Sequence, residues 1–151
     1  MKKIIYLAAV SVLGLSACCS TKQVANNKTS GLQDTYWKLI ELNGAPVNFS
    51  KDQKEIYIIF HTKNNNAGGN AGCNGYGGNY ELNPNGFNIK FSTFIRTMMA
   101  CAELPLEDEY LKVFEIADSY YVYNDTLQLN KARMAPLARF KAVKGKAETI
   151  K

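Results

Sequence analysis

Residues 67–80 read AGGNAGCNGYGGNY: six glycines, three asparagines and one cysteine between two much more ordinary stretches. Three readings compete for it: a phosphate-cradling loop, the seat of a nucleophilic cysteine, or a piece of backbone architecture. A Walker loop ends in Gly-Lys-Ser/Thr, so that lysine meets phosphate and the hydroxyl meets magnesium. Here the glycines run into Asn79-Tyr80 with no lysine. A dinucleotide fingerprint needs a helix opening at the glycines, yet the chain continues as NYELNPNG, a strand end and a turn. A nucleophilic Cys73 needs a base, and the one histidine of the chain, His61, falls on a strand whose other members are apolar. Spacing alone leaves a Cys73–His61 dyad open; the plainer reading is a histidine at a strand end. There is no HExxH, no CxxC pair and no Gly-x-Ser-x-Gly elbow, so neither a metal nor a cofactor is expected. Glycines inside a strand mark bulges, bends or close backbone approach. A strand carrying Gly72, Gly75, Gly77 and Gly78 can curl tightly and let another element lie against it. Tyr76 and Tyr80 then supply the bulk, and Asn74 satisfies bent backbone groups or takes a positive φ.

Around this stretch the chain is dominated by short alternating runs. YWKLIEL (36–42) starts a strand that ends at the turn signal NGAP. EIYIIFHT (55–62) is apolar on both faces and so reads as a central strand, whereas NNNAGG (64–69) reads as a loop. GFNIKF (86–91) places Phe87, Ile89 and Phe91 on one face. SYYVY (119–123), Asn124-Asp125 and TLQLN (126–130) make a hairpin. MAPLARFKAV (134–143) is a last strand, with Ala138 and Phe140 opposite Leu137 and Arg139. One segment has a helical period instead: in LPLEDEYLKVFEIAD (104–118), Leu106, Tyr110, Val113, Phe114 and Ala117 recur on one face after a first-turn Pro105. Glu107, Asp108 and Glu109 read as a solvated helix start that complements the helix dipole. The pattern predicts an α+β domain with a curved antiparallel sheet.

With 151 residues, 46% hydrophobic and 21% charged, the chain has room for one domain with a real core. Its first residues are a different matter. Lys2 and Lys3 precede an apolar run over 4–15 and then Leu15-Ser16-Ala17-Cys18, which is the layout of a signal peptide and too short for a spanning helix. LSAC resembles the bacterial lipobox, which implies cleavage before Cys18 and acylation of that cysteine. Removing residues 1–17 takes away two lysines and no acid, so the formal charge falls from +5 to +3, too weak to argue for nucleic acid. The organisation read from the sequence is a signal peptide (1–17), an acylated N-terminus and flexible tether (18–34), a domain (35–142) and a polar, Lys-rich tail (143–151). Cys19, Cys73 and Cys101 remain in an oxidising envelope. If one pair forms, Cys73 with Cys101 is favoured, both lying in the folded region while Cys19 lies in the tether.

GCNGYGGNY (72–80) followed by TMMAC (97–101) resembles the paired signature of the META domain, found in the HslJ family of bacterial envelope lipoproteins. WKLIELNG (37–44) is similar to the opening of that family. The positions that carry the resemblance are Trp37, Leu39, Gly44, Gly72, Cys73, Asn74, Tyr76, Gly78, Tyr80, Thr97, Met99, Ala100 and Cys101. The helix with Glu109 and Tyr110, and then Leu127 and Leu129, continue the order. The resemblance implies a strongly curved antiparallel sheet, an incomplete barrel, with one helix packed at its open side. It also implies no catalytic residues, an association with envelope stress and, in places, with virulence or secretion. Within it a Cys73–Cys101 bridge would tie the glycine-rich strand to the segment entering the helix, two adjacent buried thiols being the alternative. The function expected is a monomeric, non-enzymatic envelope lipoprotein held at the membrane, in the outer membrane from the residue after Cys18. It would act by binding a protein partner, with carriage of an apolar ligand in the barrel–helix cleft as the alternative and no nucleic-acid partner. Tyr36, Tyr57, Tyr76, Tyr80, Tyr120, Tyr121 and Tyr123 are the tyrosines expected to rim the barrel.

Overall fold

The alternation in YWKLIEL becomes strand β1 (Tyr36–Leu42) of the computed structural model, which describes residues 30–49, 53–102 and 104–147. Trp37 and Leu39 point inward and are fully buried, and the register then slips between Leu39 and Glu41, leaving Ile40 as the extra residue of a bulge. That slip is why Leu42 faces the core as well. Asn43 and Gly44, both at positive φ, form a two-residue turn into β2 (Ala45–Pro46), which accounts for glycine at position 44.

Strand β3 (Tyr57–His61) lies between β1 and β4 and buries Ile58, Ile59 and Phe60, the central strand expected from its two apolar faces. Strand β4 (Asn66–Asn70) replaces the loop read over 64–69. It pairs along its whole length with β3 on one side and with β5 (Gly75–Leu82) on the other. Glycines disfavour strands on propensity; here close approach decides. A Cβ on Gly68 would meet the Tyr76 carbonyl, and one on Gly69 would overlap the Tyr57 carbonyl. Only a strand without side chains at those two points fits between its neighbours.

After β6 (Ile89–Phe91) and β7 (Ile95–Arg96) come helix α1 (Leu104–Ile116), the hairpin β8 (Ser119–Tyr123) and β9 (Thr126–Asn130), and β10 (Ala138–Val143). The strand order is β6-β5-β4-β3-β1-β10-β9-β8, every named pairing antiparallel, with β2 and β7 as side pairings on β1 and β5. The ends meet through an Asn88–Ser119 bridge, with Ile89 N donating to the Asp118 carbonyl (3.0 Å) and Tyr120 N to that of Phe87 (2.8 Å). The result is an eight-strand barrel-like sheet, nearly closed, with a single helix: the α+β class expected, and closer to closure than an incomplete barrel suggests.

Helix α1 seals the interior. Phe114 stacks on Phe94 (centroids 4.7 Å apart), and Tyr110 meets Tyr76 at 5.6 Å and Phe140 at 6.2 Å. One helix face thus reaches β5 and β10, strands from different halves of the sheet. At its end the helix turns straight into β8, and Asp118 holds the Ala132 amide at 2.7 Å.

Several expectations change. Phe87 does not share the inward face of Ile89: β6 starts at Ile89, and Phe87 lies outside, 64% exposed, because the chain crosses the seam at Asn88. Tyr36, Tyr76 and Tyr80 are buried and form no rim. Tyr76 and Tyr80 fall on the inward register of β5, and Tyr36 is covered by Tyr57, whose ring stacks on it at 4.3 Å. Tyr121 and Tyr123 are the exposed pair among the seven. The folded body also begins before Thr35: Leu32 is buried, its carbonyl accepts the Trp37 indole N–H at 2.8 Å, and Gln33 bridges Phe60. At the other end, Lys144 pairs with Asp125, and Lys146 pairs with Glu55 and lies over the Tyr36 ring. The expected leader, the lipidation site Cys18, Cys19 and the tether up to residue 29 lie outside the described residues.

Candidate functional site: a clasp around Asn74 and Glu107

The turn between β4 and β5 is where the quoted stretch spends its remaining peculiarities. Gly72 stands at φ +107°, a conformation L side chains rarely adopt. Its amide is taken by Asn70 Oδ1 at 2.8 Å, and Ala71 N donates to the Asn74 carbonyl at 2.8 Å. Cys73 is bonded to Cys101, which ties this turn to the segment leading into α1.

Asn74, 1% exposed, uses its whole side chain. Oδ1 accepts from the Thr97 hydroxyl and from Met99 N, both at 2.7 Å. Nδ2 donates to the Met99 carbonyl (3.2 Å) and to Glu107 Oε1 (2.9 Å), while the Asn74 amide donates to Glu107 Oε2 at 2.8 Å. Those four side-chain bonds are the full capacity of an amide group. Arg96 adds a third donor to Glu107 at 2.8 Å and also reaches Asp108 at 2.6 Å. The two halves of the signature, GCN and TMMAC, are therefore held together by one asparagine, one buried glutamate and one disulfide. Gly78 completes the fit: the Phe94 ring fills the notch its missing side chain leaves.

Glu107 corrects the reading of the helix start. It is fully buried, not solvated, while Glu109 is exposed. The signal was present in the spacing: Glu107, Tyr110 and Phe114 stand at i, i+3 and i+7, one face of a helix. Arg96 carried no such signal, since its role comes from β7 lying beside the first turn of α1. Thr97 contributes its hydroxyl and Met99 its main chain, the Met99 side chain being largely exposed. Nothing in the structure explains Ala100.

His61 and Cys73 are not brought together. His61 pairs with Asn66 at one end of β4, and the β4–β5 turn carrying Cys73 follows the other end, Asn70. Among the described residues no three His, Cys, Asp or Glu side chains gather as metal ligands would. Tyr76 and Tyr110 share a 2.6 Å hydroxyl contact inside the barrel, and burial raises both phenols well above the ordinary value.

Two open grooves flank the clasp. One, of ≈ 610 Å³, runs between α1 and residues 91–96, lined by Phe91, Phe94, Leu111 and Phe114 beside Asp108 and Lys112. The other, of ≈ 570 Å³, lies over Gly75, Gly77 and Asn79 of β5 against Ile95 and Thr97.

Residues 30–144 match the family model of the META domain. The chain belongs to the META domain family. The META fold also recurs in solved structures. An NMR structure of a protein from Burkholderia xenovorans is 25% identical, with a TM-score of 0.59, over 75% of this chain and 84% of that one. A second NMR structure is 24% identical with a TM-score of 0.56, covering 72% and 89%. The crystal structure of a DUF4847 family protein from Bacteroides vulgatus, 13% identical, has a TM-score of 0.55 over 73% and 93%. No protein of curated function matches the chain.

The disulfide of the META signature spans a sequence separation of 28. Closing such a loop stabilises by about 3–4 kcal/mol in the chain-entropy model. The Cys73→Ser/Cys101→Ser double variant should therefore unfold at a lower denaturant midpoint, with a slope no smaller than the parent's because its unfolded chain is freed to expand. A variant as stable as the parent would mean that the clasp does not depend on the bridge.

Two sets of titratable groups tie stability to pH. With folded-state values raised by burial, Tyr76 and Tyr110 stay neutral in the native barrel. The stability they lend is complete below the unfolded value near 10 and is lost as pH rises above it. Tyrosinate absorbance from these two should appear together with loss of secondary structure; appearance well before unfolding would contradict their burial. Glu55 moves the other way, to about 2, held by Lys146, Lys38 and the Tyr36 hydroxyl. Its contribution is present above the unfolded value near 4.5 and fades as pH falls towards 2; solvent screens it, so the effect is small.

Proposed function

We propose that this META protein is a lipid-anchored component of a bacterial cell envelope that acts through surface binding and not through catalysis. The observation that carries the reading is the clasp. Its polar groups, the kind that would otherwise be suspected of chemistry, are spent on one another: Asn74 makes four side-chain bonds, and Glu107 faces three donors. The Cys73–Cys101 bridge supports an oxidising compartment, and the LSAC sequence that ends at Cys18 supports delivery there with acylation. Two acyl chains or more are what stable anchoring requires. Mass analysis of the mature chain from bacterial membranes tests this. The expected N-terminus is Cys18 carrying acyl groups, and an intact chain in the soluble fraction would overturn the anchoring.

Carriage of an apolar ligand remains the second reading, favoured by one observation. The groove between α1 and residues 91–96 presents Phe91, Phe94, Leu111 and Phe114 within ≈ 610 Å³, a size that suits a small ligand. Native mass spectrometry of the unreduced protein separates the two readings. A bound mass lost on activation would put carriage first, and a clean protein mass would leave surface binding.

A further inference from the structure

Charge is divided unevenly between the helix and the last three strands. Residues 104–118, which include α1, hold five acids and one base; residues 119–147, which include β8, β9 and β10, hold six bases and one acid. That acid, Asp125, is already engaged by Ser30 and Lys144.

The outward face of the three strands is ordered in bands. Strand β8 presents Tyr121 and Tyr123, 47% and 61% exposed, with Phe87 packed beside Tyr121 at 6.0 Å. Register places Thr126 and Gln128 of β9 next to them, and Lys141 and Arg139 of β10 next to those. An aromatic band, a neutral band and a band of Lys141 and Arg139 lie side by side on strands that carry no carboxylate of their own, Arg139 being paired with Glu41 of the adjacent β1 at 2.9 Å. Tyrosines with apolar rings and wet hydroxyls suit the boundary between headgroups and acyl chains, and lysine and arginine suit anionic lipid.

The N-terminal segment leaves the barrel at this same wall. Ser30, the first described residue, is bonded through its amide and its hydroxyl to Asp125, in the turn directly after Tyr123. Eleven residues, 19–29, separate that point from the acylated cysteine. Even fully extended they span at most roughly 40 Å, so an anchored chain keeps the β8–β9 turn close to its bilayer.

We propose that the outer face of β8, β9 and β10, led by Phe87, Tyr121 and Tyr123, docks on the anionic phospholipid surface of the membrane that carries the chain's own anchor. The inference rests on the anchoring reading above. It orients the domain: the basic wall faces the lipid, and the acidic helix with its adjoining groove faces away, open to a partner.

Full-length protein in vesicles of phosphatidylcholine and phosphatidylglycerol, with and without brominated lipid, gives the test. The one native tryptophan, Trp37, is fully buried, so a second tryptophan reports its own position. Tyr121→Trp should lose about half of its added emission, as expected for a ring seated ~5–10 Å into the headgroup boundary, whereas Glu109→Trp on the helix should lose none. The quenching should weaken as salt rises. Flotation is read on the same samples. Protein that fails to float without excess lipid overturns the anchoring, and quenching at excess lipid then still decides the docking face. Floating protein with Tyr121→Trp unquenched, or with Glu109→Trp quenched instead, overturns the docking and leaves the aromatic band to a protein partner.

Discussion

Replacing Glu107 by alanine is expected to cost about 3–5 kcal/mol, the range found when one member of a buried ion pair is removed. The carboxylate accepts from the Asn74 amide, the Asn74 side chain and Arg96, and none of its surface is exposed. Truncation would strand the buried Asn74 amide and leave Arg96 with Asp108 alone. Glu107→Gln keeps one acceptor oxygen for the Asn74 amide and should cost less; its NH2 then faces Asn74 Nδ2, which still has the Met99 carbonyl, and Arg96, which still has Asp108. Equilibrium denaturation followed by Trp37 emission reads both, since that indole is fully buried and bonded to the Leu32 carbonyl. An alanine variant within about 1 kcal/mol of the parent, an ordinary value for a point substitution, would mean that the clasp is decoration.

The second large effect belongs to Gly69. A Cβ there would overlap the Tyr57 carbonyl and crowd the Tyr57 ring, so β4 would have to move away from β3 along a shared register. Gly69→Ala should lose more than about 4 kcal/mol, an exceptional value for so small a change, or fail to fold. The control is in the same hairpin. At Gly75 and Gly77 an added Cβ meets only ordinary contacts, at 3.8 and 3.6 Å. Alanine at either should stay within about 1 kcal/mol of the parent, because the substitution also restricts the unfolded chain. Thermal unfolding of the three variants side by side distinguishes local crowding from a general dislike of change in a glycine-rich strand. Equal losses at all three would contradict the crowding argument.

These two residues also show where the sequence was legible. β1, β3 and the β8–β9 hairpin were readable because period-two alternation and turn residues act locally: Asn43-Gly44 and Asn124-Asp125 both adopt positive φ at the turns they mark. The helix was readable from its apolar face. β4 was not, because a strand of Asn, Ala and Gly has no propensity signal. Its reason for being extended lies in the carbonyls of Tyr57 and Tyr76, which only the assembled sheet brings near. Glu107 was half legible, sharing a face with Tyr110 and Phe114, but three acids in a first turn also describe a solvated helix start. The tyrosines misled for a similar reason. β-propensity places them in strands without saying which side they face, and the inward register of β5 buries Tyr76 and Tyr80 with their hydroxyls satisfied by Tyr110, the Tyr57 carbonyl, Gln33 and the His61 carbonyl.

The signature that identifies the family is, on this account, a closure device for the barrel. GCN turns the chain through a positive-φ Gly72, Asn74 seizes the segment 97–99 that follows β7, Glu107 brings the helix, and the disulfide locks the turn to the helix approach. On the function proposed above, binding falls to the outer surface, to the grooves beside α1 and the basic wall of β8 to β10.

The measurement that addresses this claim most directly is a double-mutant cycle on the oxidised protein with Asn74→Ala and Glu107→Ala, each variant and the pair unfolded in denaturant. If the two residues act as one clasp, the losses are strongly non-additive. A coupling of about 1–3 kcal/mol is then expected, as for residues that share a buried network. Losses that add to within about 0.5 kcal/mol would contradict the account and return the signature to the search for another role.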